Sequence, residues 1–162
     1  MVTIYLALGS NLGDRLANLK AVCAGFAPQV NLIRLSPVYQ TTPWGFTQQP
    51  DFLNQVVEAA TGLEPEELLD YLKDIEVKLG RRPTFRNGPR LIDIDILFYG
   101  DWVFQSPLLT IPHPRLAERA FVLVPLADLA PDLVHPVTGQ TIQQLQAAAG
   151  RVGISLYDQN PQ

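Results

Sequence analysis

Two aspartates stand one residue apart in the run Leu91-Ile92-Asp93-Ile94-Asp95-Ile96-Leu97-Phe98-Tyr99. β-Branched and aromatic residues dominate this run and its apolar positions alternate, which predicts a β-strand. On a strand, Ile92, Ile94, Ile96 and Phe98 point into a core, while Leu91, Asp93, Asp95, Leu97 and Tyr99 point the other way. The two carboxylates then share one face, roughly 7 Å apart along the chain. Like charges so placed repel, and a divalent cation held between them turns that repulsion into attraction. One or two carboxylates, completed by phosphate oxygens and water, suit Mg²⁺. A solvated acidic edge strand is the ordinary alternative. It fits less well here, because Leu97 and Tyr99 continue the same face and because Arg81, Arg82, Arg86 and Arg90 crowd the segment just before the strand. Carboxylates that grip a metal beside guanidiniums that grip phosphate are the parts of phosphoryl transfer.

The elements that position these groups follow from the rest of the chain. Val2 to Leu8 alternates as a strand, apolar on both faces at Ala7 and Leu8, so it is expected at the centre of a sheet. Gly9 to Asp14 is a turn ending in an N-cap, Asp14. It lacks the Gly-Lys-Ser/Thr of a P-loop. A helix from Arg15 to Phe26 carries Leu16, Leu19, Cys23 and Phe26 on one stripe, so Cys23 is expected to be a core residue. Val30 to Leu35 and Val38 to Thr41 form one extended stretch broken at Ser36-Pro37. The loop from Thr41 to Pro50 carries Trp44 and Phe46, which either bind a ligand or cover the core edge. Phe52 to Thr61 is a strand and Glu64 to Leu79 a helix, with Pro65 at its start and Gly80 after its end. Glu76 lies at the margin of that helix's buried stripe, one turn before the arginines, where it either pairs structurally or touches a ligand.

After the aspartate strand, Asp101 to Ile111 reads as a short hairpin. His113 lies between Pro112 and Pro114, with Arg115 and Arg119 downstream, which weights a functional and a structural role about equally. His135 has nothing near it that points to chemistry. Helices are expected at Glu118–Leu129 and Thr141–Ala149. The order β-α-β-β-α-β predicts an α+β, ferredoxin-like split β-α-β sandwich: an antiparallel sheet with helices packed on one face, followed by a C-terminal helical appendage. One domain is expected, with its core over about residues 1–136 and the appendage over about 137–162.

Composition narrows the function classes. The chain has 162 residues, a formal charge of −4 and one cysteine, Cys23. The single cysteine excludes an internal disulfide and points to a reducing compartment, the cytoplasm. The acidic balance argues against a general nucleic-acid binder, so an anionic substrate must be captured by a local arginine cluster. No apolar run approaches the roughly 20 residues of a membrane helix, and no signal peptide or membrane partner is expected. The chain is expected to act as a monomer on small molecules.

With these residues in view, Arg86-x-Gly88-Pro89-Arg90-x-x-Asp93-Ile94-Asp95-Ile96-Leu97 resembles the signature of the 6-hydroxymethyl-7,8-dihydropterin pyrophosphokinases of folate biosynthesis. Leu8-Gly9-Ser10-Asn11-Leu12-Gly13-Asp14, Tyr39-x-Thr41-x-Pro43-x-Gly45, Gln49 to Asn54, Pro65 to Leu69, Glu76-x-x-x-Gly80-Arg81 and Ile111-Pro112-His113-Pro114 match in the same order, to about Pro136. The resemblance implies transfer of pyrophosphate from ATP to the hydroxymethyl oxygen of the dihydropterin, with AMP released and two Mg²⁺ taking part. It implies that Asp93 and Asp95 hold the metals. Arg81, Arg82 and Arg90 would contact phosphates, Arg81 and Arg90 as catalytic groups beside the acids, with His113 and Arg119 closing on the triphosphate. Glu76, Ile96 and Thr110 would line the ATP side. Thr41, Thr42, Trp44, Phe52, Asn54 and Phe121 would hold the pterin. Asp95 would accept or relay the hydroxyl proton. Loops Thr42–Gln49 and Arg81–Pro89 would act as lids over bound nucleotide.

Some positions depart from the commoner family pattern. Asn87 stands where an aromatic residue is frequent, Phe52 where a tyrosine is, and Leu108 where some members carry arginine. Two rivals remain at this stage. A phosphatase on the same fold would release inorganic phosphate and no AMP. A non-enzymatic RNA-binding or small-ligand regulatory module would leave the aspartate pair and the arginine segment without a task, and the aromatic strand motif of an RNA binder is absent.

Overall fold

The computed structural model describes residues 1–43, 45–82, 84–85 and 88–157. Its centre is a six-stranded antiparallel sheet. Strand β1 (Val2–Ser10) lies in the interior, with β5 (Asp93–Tyr99) on one side and β4 (Phe52–Thr61) on the other. Both β2 (Val30–Leu35) and β3 (Tyr39–Thr41) pair with β4, the break between them falling at Ser36-Pro37 as the sequence predicts. A small separate ribbon joins β6 (Phe104–Gln105) to β7 (Thr110–Ile111).

Two cores sandwich the sheet. Helices α1 (Arg15–Ala24) and α2 (Pro65–Lys78) cover the face built by Ile4, Leu6 and Leu8, with Leu19, Val22, Leu68 and Leu72 buried between. This is the ferredoxin-like arrangement read from the sequence. The opposite face is also covered: α3 (Ala120–Leu129) and α4 (Ile142–Ala149) pack there on Tyr5, Val56, Leu97 and Phe98. The expectation of helices on one face therefore holds for α1 and α2 only. The chain end does more than append a helix, because β8 (Ile154–Leu156) pairs with β3 and extends the sheet. Local signals set the helix starts: Asp14 accepts from Ala17 N–H at 3.1 Å, and Thr141 caps α4 by accepting from Gln144 N–H at 3.2 Å.

Strand β5 departs from strict alternation. Tyr5 faces Phe98 and Leu6 faces Ile96, so Leu97 is an extra residue, a β-bulge. Before the bulge, Ile92, Ile94 and Ile96 join the α1–α2 core and both aspartates face the α3–α4 side, as expected. After it the faces exchange: Phe98 enters the α3–α4 core and Tyr99 the α1–α2 core, the reverse of the predicted assignment. The extra residue costs one step of phase, which no pattern within the strand announces.

Candidate active site

The β1–β5 ladder sets the aspartates opposite two very small residues. Ala7 is the partner of Asp95 and Gly9 the partner of Asp93. Small partners leave the space in front of both carboxylates open. Gly9 is hemmed from its other side as well, since a Cβ there would lie 2.9 Å from Asn54 Oδ1.

Three guanidiniums converge on the pair. Arg81 Nη1 lies 3.1 Å from Asp93 Oδ1, Arg90 Nη1 3.8 Å from Asp93 Oδ2, and Arg119 Nη1 3.7 Å from Asp95 Oδ2. Burial, and next the charge of Asp93, still push Asp95 up to about 7, against the pull of Arg119. The Nε atoms of Arg90 and Arg119 are buried and, among the described residues, have no hydrogen-bond partner. Buried guanidinium donors without acceptors are costly, and a phosphate oxygen is the acceptor they suit.

Glu76 explains where Arg81 sits. Its Oε2 accepts from Ile94 N–H at 2.8 Å and from Arg81 Nη1 at 2.7 Å, which locks the end of α2 to β5 and holds Arg81 against Asp93. Burial raises the Glu76 pKa, and these two donors counter it. Glu76 borders neither cleft described below, and Arg82 is exposed.

Two clefts meet at the acids. The first, of about 620 Å³, has Thr41, Thr42, Phe52, Asn54 and Phe121 on its walls and Ala7 and Gly9 on its floor, with Arg90, Arg119 and both aspartates at one end. Asn54 Nδ2 donates to Thr41 Oγ1 at 2.6 Å, and the Arg119 guanidinium lies 5.7 Å from the centre of the Phe121 ring. The second, of about 650 Å³, contains Ile96, Thr110 and His113, beside Leu69 and Leu108. Asp95 borders both. His113 Nδ1 accepts from Arg115 N–H at 3.1 Å. Burial, then Arg119, lower its pKa to about 4, so the ring is neutral with its proton on Nε2, available to donate.

The loops flanking the site are tied together at their roots. Asn11, 2% exposed, donates through Nδ2 to Gln49 Oε1 at 2.8 Å and to Pro50 O at 3.0 Å. Its Oδ1 accepts from Arg90 N–H at 2.8 Å. Further out, Phe46 and Phe85 meet edge to face with ring centres 5.0 Å apart. Trp44, Arg86 and Asn87 lie outside the described residues.

The structure thus brings together every described candidate except Glu76, which acts one layer behind, and Arg82. Sequence reasoning gave no site role to Ala7, Leu8, Gly9 or Val122 in the first cleft, and had Asn11 only in the turn after the first strand and in the matching motif there. The β1–β5 register identifies Ala7 and Gly9; nothing in the strands taken singly does. His135 lies elsewhere, its Nδ1 accepting from Val137 and Thr138 N–H at 3.2 Å, and Cys23 packs against the α1–α2 core, as the sequence reading had both.

Mg²⁺ fits this donor set in one particular way. Among the described residues no three His, Cys, Asp or Glu side chains are grouped to cage a metal. Asp93 and Asp95 offer oxygen ligands from one strand face only, which suits a cation that brings phosphate oxygens and water with it. No helix among the described residues is long and apolar enough to cross a membrane.

Comparison with known proteins agrees. The family model described as 7,8-dihydro-6-hydroxymethylpterin-pyrophosphokinase (HPPK) matches residues 5–131. The chain is 40% identical over 146 residues to the 2-amino-4-hydroxy-6-hydroxymethyldihydropteridine pyrophosphokinase of Aquifex aeolicus, covering 90% of this chain and 91% of that one. It is 43% identical over 153 residues to the Pseudomonas aeruginosa protein of the same name, covering 93% and 94%. Its fold resembles the crystal structure of wild-type Plasmodium falciparum HPPK-DHPS, with a TM-score of 0.73 at 16% identity. That match covers 91% of this chain and 44% of the longer one. The acid pair, the converging arginines, the family model over residues 5–131 and the match over nine-tenths or more of two relatives place this chain in the 7,8-dihydro-6-hydroxymethylpterin-pyrophosphokinase family.

Proposed function

We propose that this protein transfers the pyrophosphoryl group of ATP to the hydroxymethyl oxygen of 6-hydroxymethyl-7,8-dihydropterin, releasing AMP, as a step of folate biosynthesis. One observation carries the reading: Asp95 is a wall of both clefts, so an alcohol in the first and a nucleotide phosphate in the second approach the same carboxylate pair.

The first cleft takes the pterin. Phe52 and Phe121 supply flat faces, and Asn54, Thr41 and Thr42 supply polar groups for the edge of the heterocycle. Trp44 joins this set in the proposal. The second cleft takes the nucleotide, with Ile96 and Thr110 beside it and His113 Nε2–H donating to a phosphate. Attack on phosphorus flanked by anionic oxygens is opposed chiefly by charge. Arg81, Arg90 and Arg119 are already gathered at the acids to offset it, and Arg82 adds a fourth guanidinium from the neighbouring loop. Glu76 holds Arg81 in line. Asp93 and Asp95 would hold two Mg²⁺, which when bound neutralise phosphate charge and favour ionisation of the alcohol. Asp95 accepts or relays the hydroxyl proton as the new P–O bond forms and the bond to the AMP oxygen breaks.

The test is incubation with ATP, Mg²⁺ and the dihydropterin alcohol. One AMP per pterin diphosphate is expected. Release of inorganic phosphate without AMP, or turnover independent of Mg²⁺, overturns the reading in favour of a phosphatase.

A further inference from the structure

The C-terminal segment, beyond the residues matched by the family model, reaches back to the first cleft. Strand β8 pairs with β3 in the register Thr41–Ile154, Gln40–Ser155 and Tyr39–Leu156. One residue further along each chain, Thr42 N–H donates to Gly153 O at 3.0 Å. Thr42 lies on the cleft wall.

The approach at this point is too close for any side chain. A Cβ built on Gly153 would run into Thr42 Oγ1, with Thr42 Cβ and Cγ2 each at 3.5 Å. Gly153 also has φ +77°, a left-handed conformation open to glycine and strained for other residues. Threonine is branched at Cβ, so its hydroxyl yields only by a full rotamer change or by separation of the two backbones. Either movement displaces the Thr42 hydroxyl.

The same segment also reaches the far end of the loop that begins at Thr42. Tyr157 N–H donates to Val38 O at 2.9 Å, and the Arg15 guanidinium lies 5.8 Å from the centre of the Tyr157 ring. Arg15 Nη1 in turn donates to Asp51 O at 2.9 Å, where the loop returns to β4. The start of this loop is therefore bonded directly to Gly153 and its return to β4 reaches Tyr157 only through Arg15, and the tie at Thr42 depends on the missing side chain.

We propose that Gly153 is a positioning residue for the pterin-side cleft: it lets the C-terminal strand close on Thr42 and fix the orientation of that hydroxyl. The proposal rests on the reading of the first cleft as the pterin site. It assigns Gly153 no contact with substrate.

The experiment measures binding of the dihydropterin alcohol to the full chain, with Mg²⁺ and a non-hydrolysable ATP analogue present. Gly153→Ala is expected to raise its Kd roughly tenfold, the scale of one misdirected hydrogen bond. The Kd of the magnesium nucleotide analogue is expected to stay unchanged. Gly150→Ala is the control, because Gly150 has φ +78° and open space around its Cβ position. It shares the left-handed φ without the collision, and pterin binding is expected to stay at the wild-type level. The third comparison is Gly153→Ala in a Thr42→Ala background, which removes the colliding atom and serves if the single variant folds poorly. There Gly153→Ala is expected to add no further loss.

Wild-type affinity in Gly153→Ala, equal weakening by Gly150→Ala, or an undiminished loss in the Thr42→Ala background each overturns the positioning role alone. Failure of the wild-type chain to bind the pterin at all removes the reading of the cleft and the proposal with it.

Discussion

Ala7 stands directly across the β1–β5 ladder from Asp95, and its single methyl group is what keeps the floor of the first cleft low in front of that carboxylate. The smallness of a neighbour thus matters as much as the charge of the acid. Ala7→Val adds two methyl groups where the first cleft meets the margin of the α3–α4 core. The fold is expected to survive, because β-branched residues suit a strand. kcat/KM for the pterin is expected to fall by roughly tenfold or more, about 1.4 kcal/mol or above in transition-state terms. Steady-state kinetics with circular dichroism checks both parts.

Asp95 gives a pH dependence of definite sign. Its pKa rises from 3.8 to about 7 in the folded, ligand-free chain. Between those values the folded state binds the proton more tightly than the unfolded state does. The contribution of this group to stability is therefore present below about pH 4 and is lost as pH rises to about 7. Asp95→Asn removes that loss. The variant is expected to gain in melting temperature over wild type as pH rises across the window, and the gain levels off above it. Its turnover is expected to collapse by several orders of magnitude, as loss of a metal ligand and proton acceptor demands. Full turnover with metal bound would dismiss the proton role.

His113 shifts the opposite way. Its pKa falls from 6.5 to about 4, so between those values the unfolded chain takes up a proton that the folded chain refuses. Its contribution to stability is present above pH 6.5 and is lost as pH falls toward 4. A titration followed by NMR is expected to show no midpoint for His113 near 6.5. His113→Gln keeps a donor, and magnesium-nucleotide affinity is expected to drop only a few-fold, whereas His113→Ala loses roughly tenfold.

Glu76 is expected to act through Arg81. Glu76→Ala leaves the Ile94 N–H without its acceptor and Arg81 without its closer carboxylate, a destabilisation of about 2–4 kcal/mol by thermal or denaturant unfolding. Glu76→Gln keeps an acceptor for one of the two donors and costs about half as much. In both, the rise in KM for the magnesium nucleotide is expected to exceed that for the pterin.

Asn11→Ala cuts the roots of both flanking loops at once. Hydrogen exchange is expected to speed up together around Gln49–Pro50 and around Arg90, while the sheet interior keeps its protection. In the wild-type chain a non-hydrolysable ATP analogue is expected to slow exchange in both loops. Unchanged protection counts against their closing over nucleotide.

Much of this was legible in the residues. Alternation put Asp93 and Asp95 on one face, the proline and glycine around α2 set its limits, and the crowding of Arg81 and Arg90 before β5 put guanidiniums beside the acids. What stayed hidden depends on pairing between distant strands. Ala7 and Gly9 matter because of what lies opposite them, which the spacing within β1 does not encode. The bulge at Leu97 is fixed by how β1 and β5 align at Tyr5 and Leu6, so Phe98 and Tyr99 were assigned to the wrong sides. The very apolar α3 gave no clear polar stripe from which to read its partner face, and β8 is too short to show a period.

The inserted step at Leu97 has a further effect on how tolerant this protein is to change. It divides β5 into two lengths that take their phase from separate stretches of β1, residues 6–9 for the acids and residues 4–5 for the aromatics. A chain lacking Leu97 would run straight from Ile96 to Phe98 in the same pairing, keep carboxylates and aromatics on their present faces, and lose a buried side chain from the α3–α4 core. Damage to the scaffold and damage to the chemistry are therefore separable along a single strand.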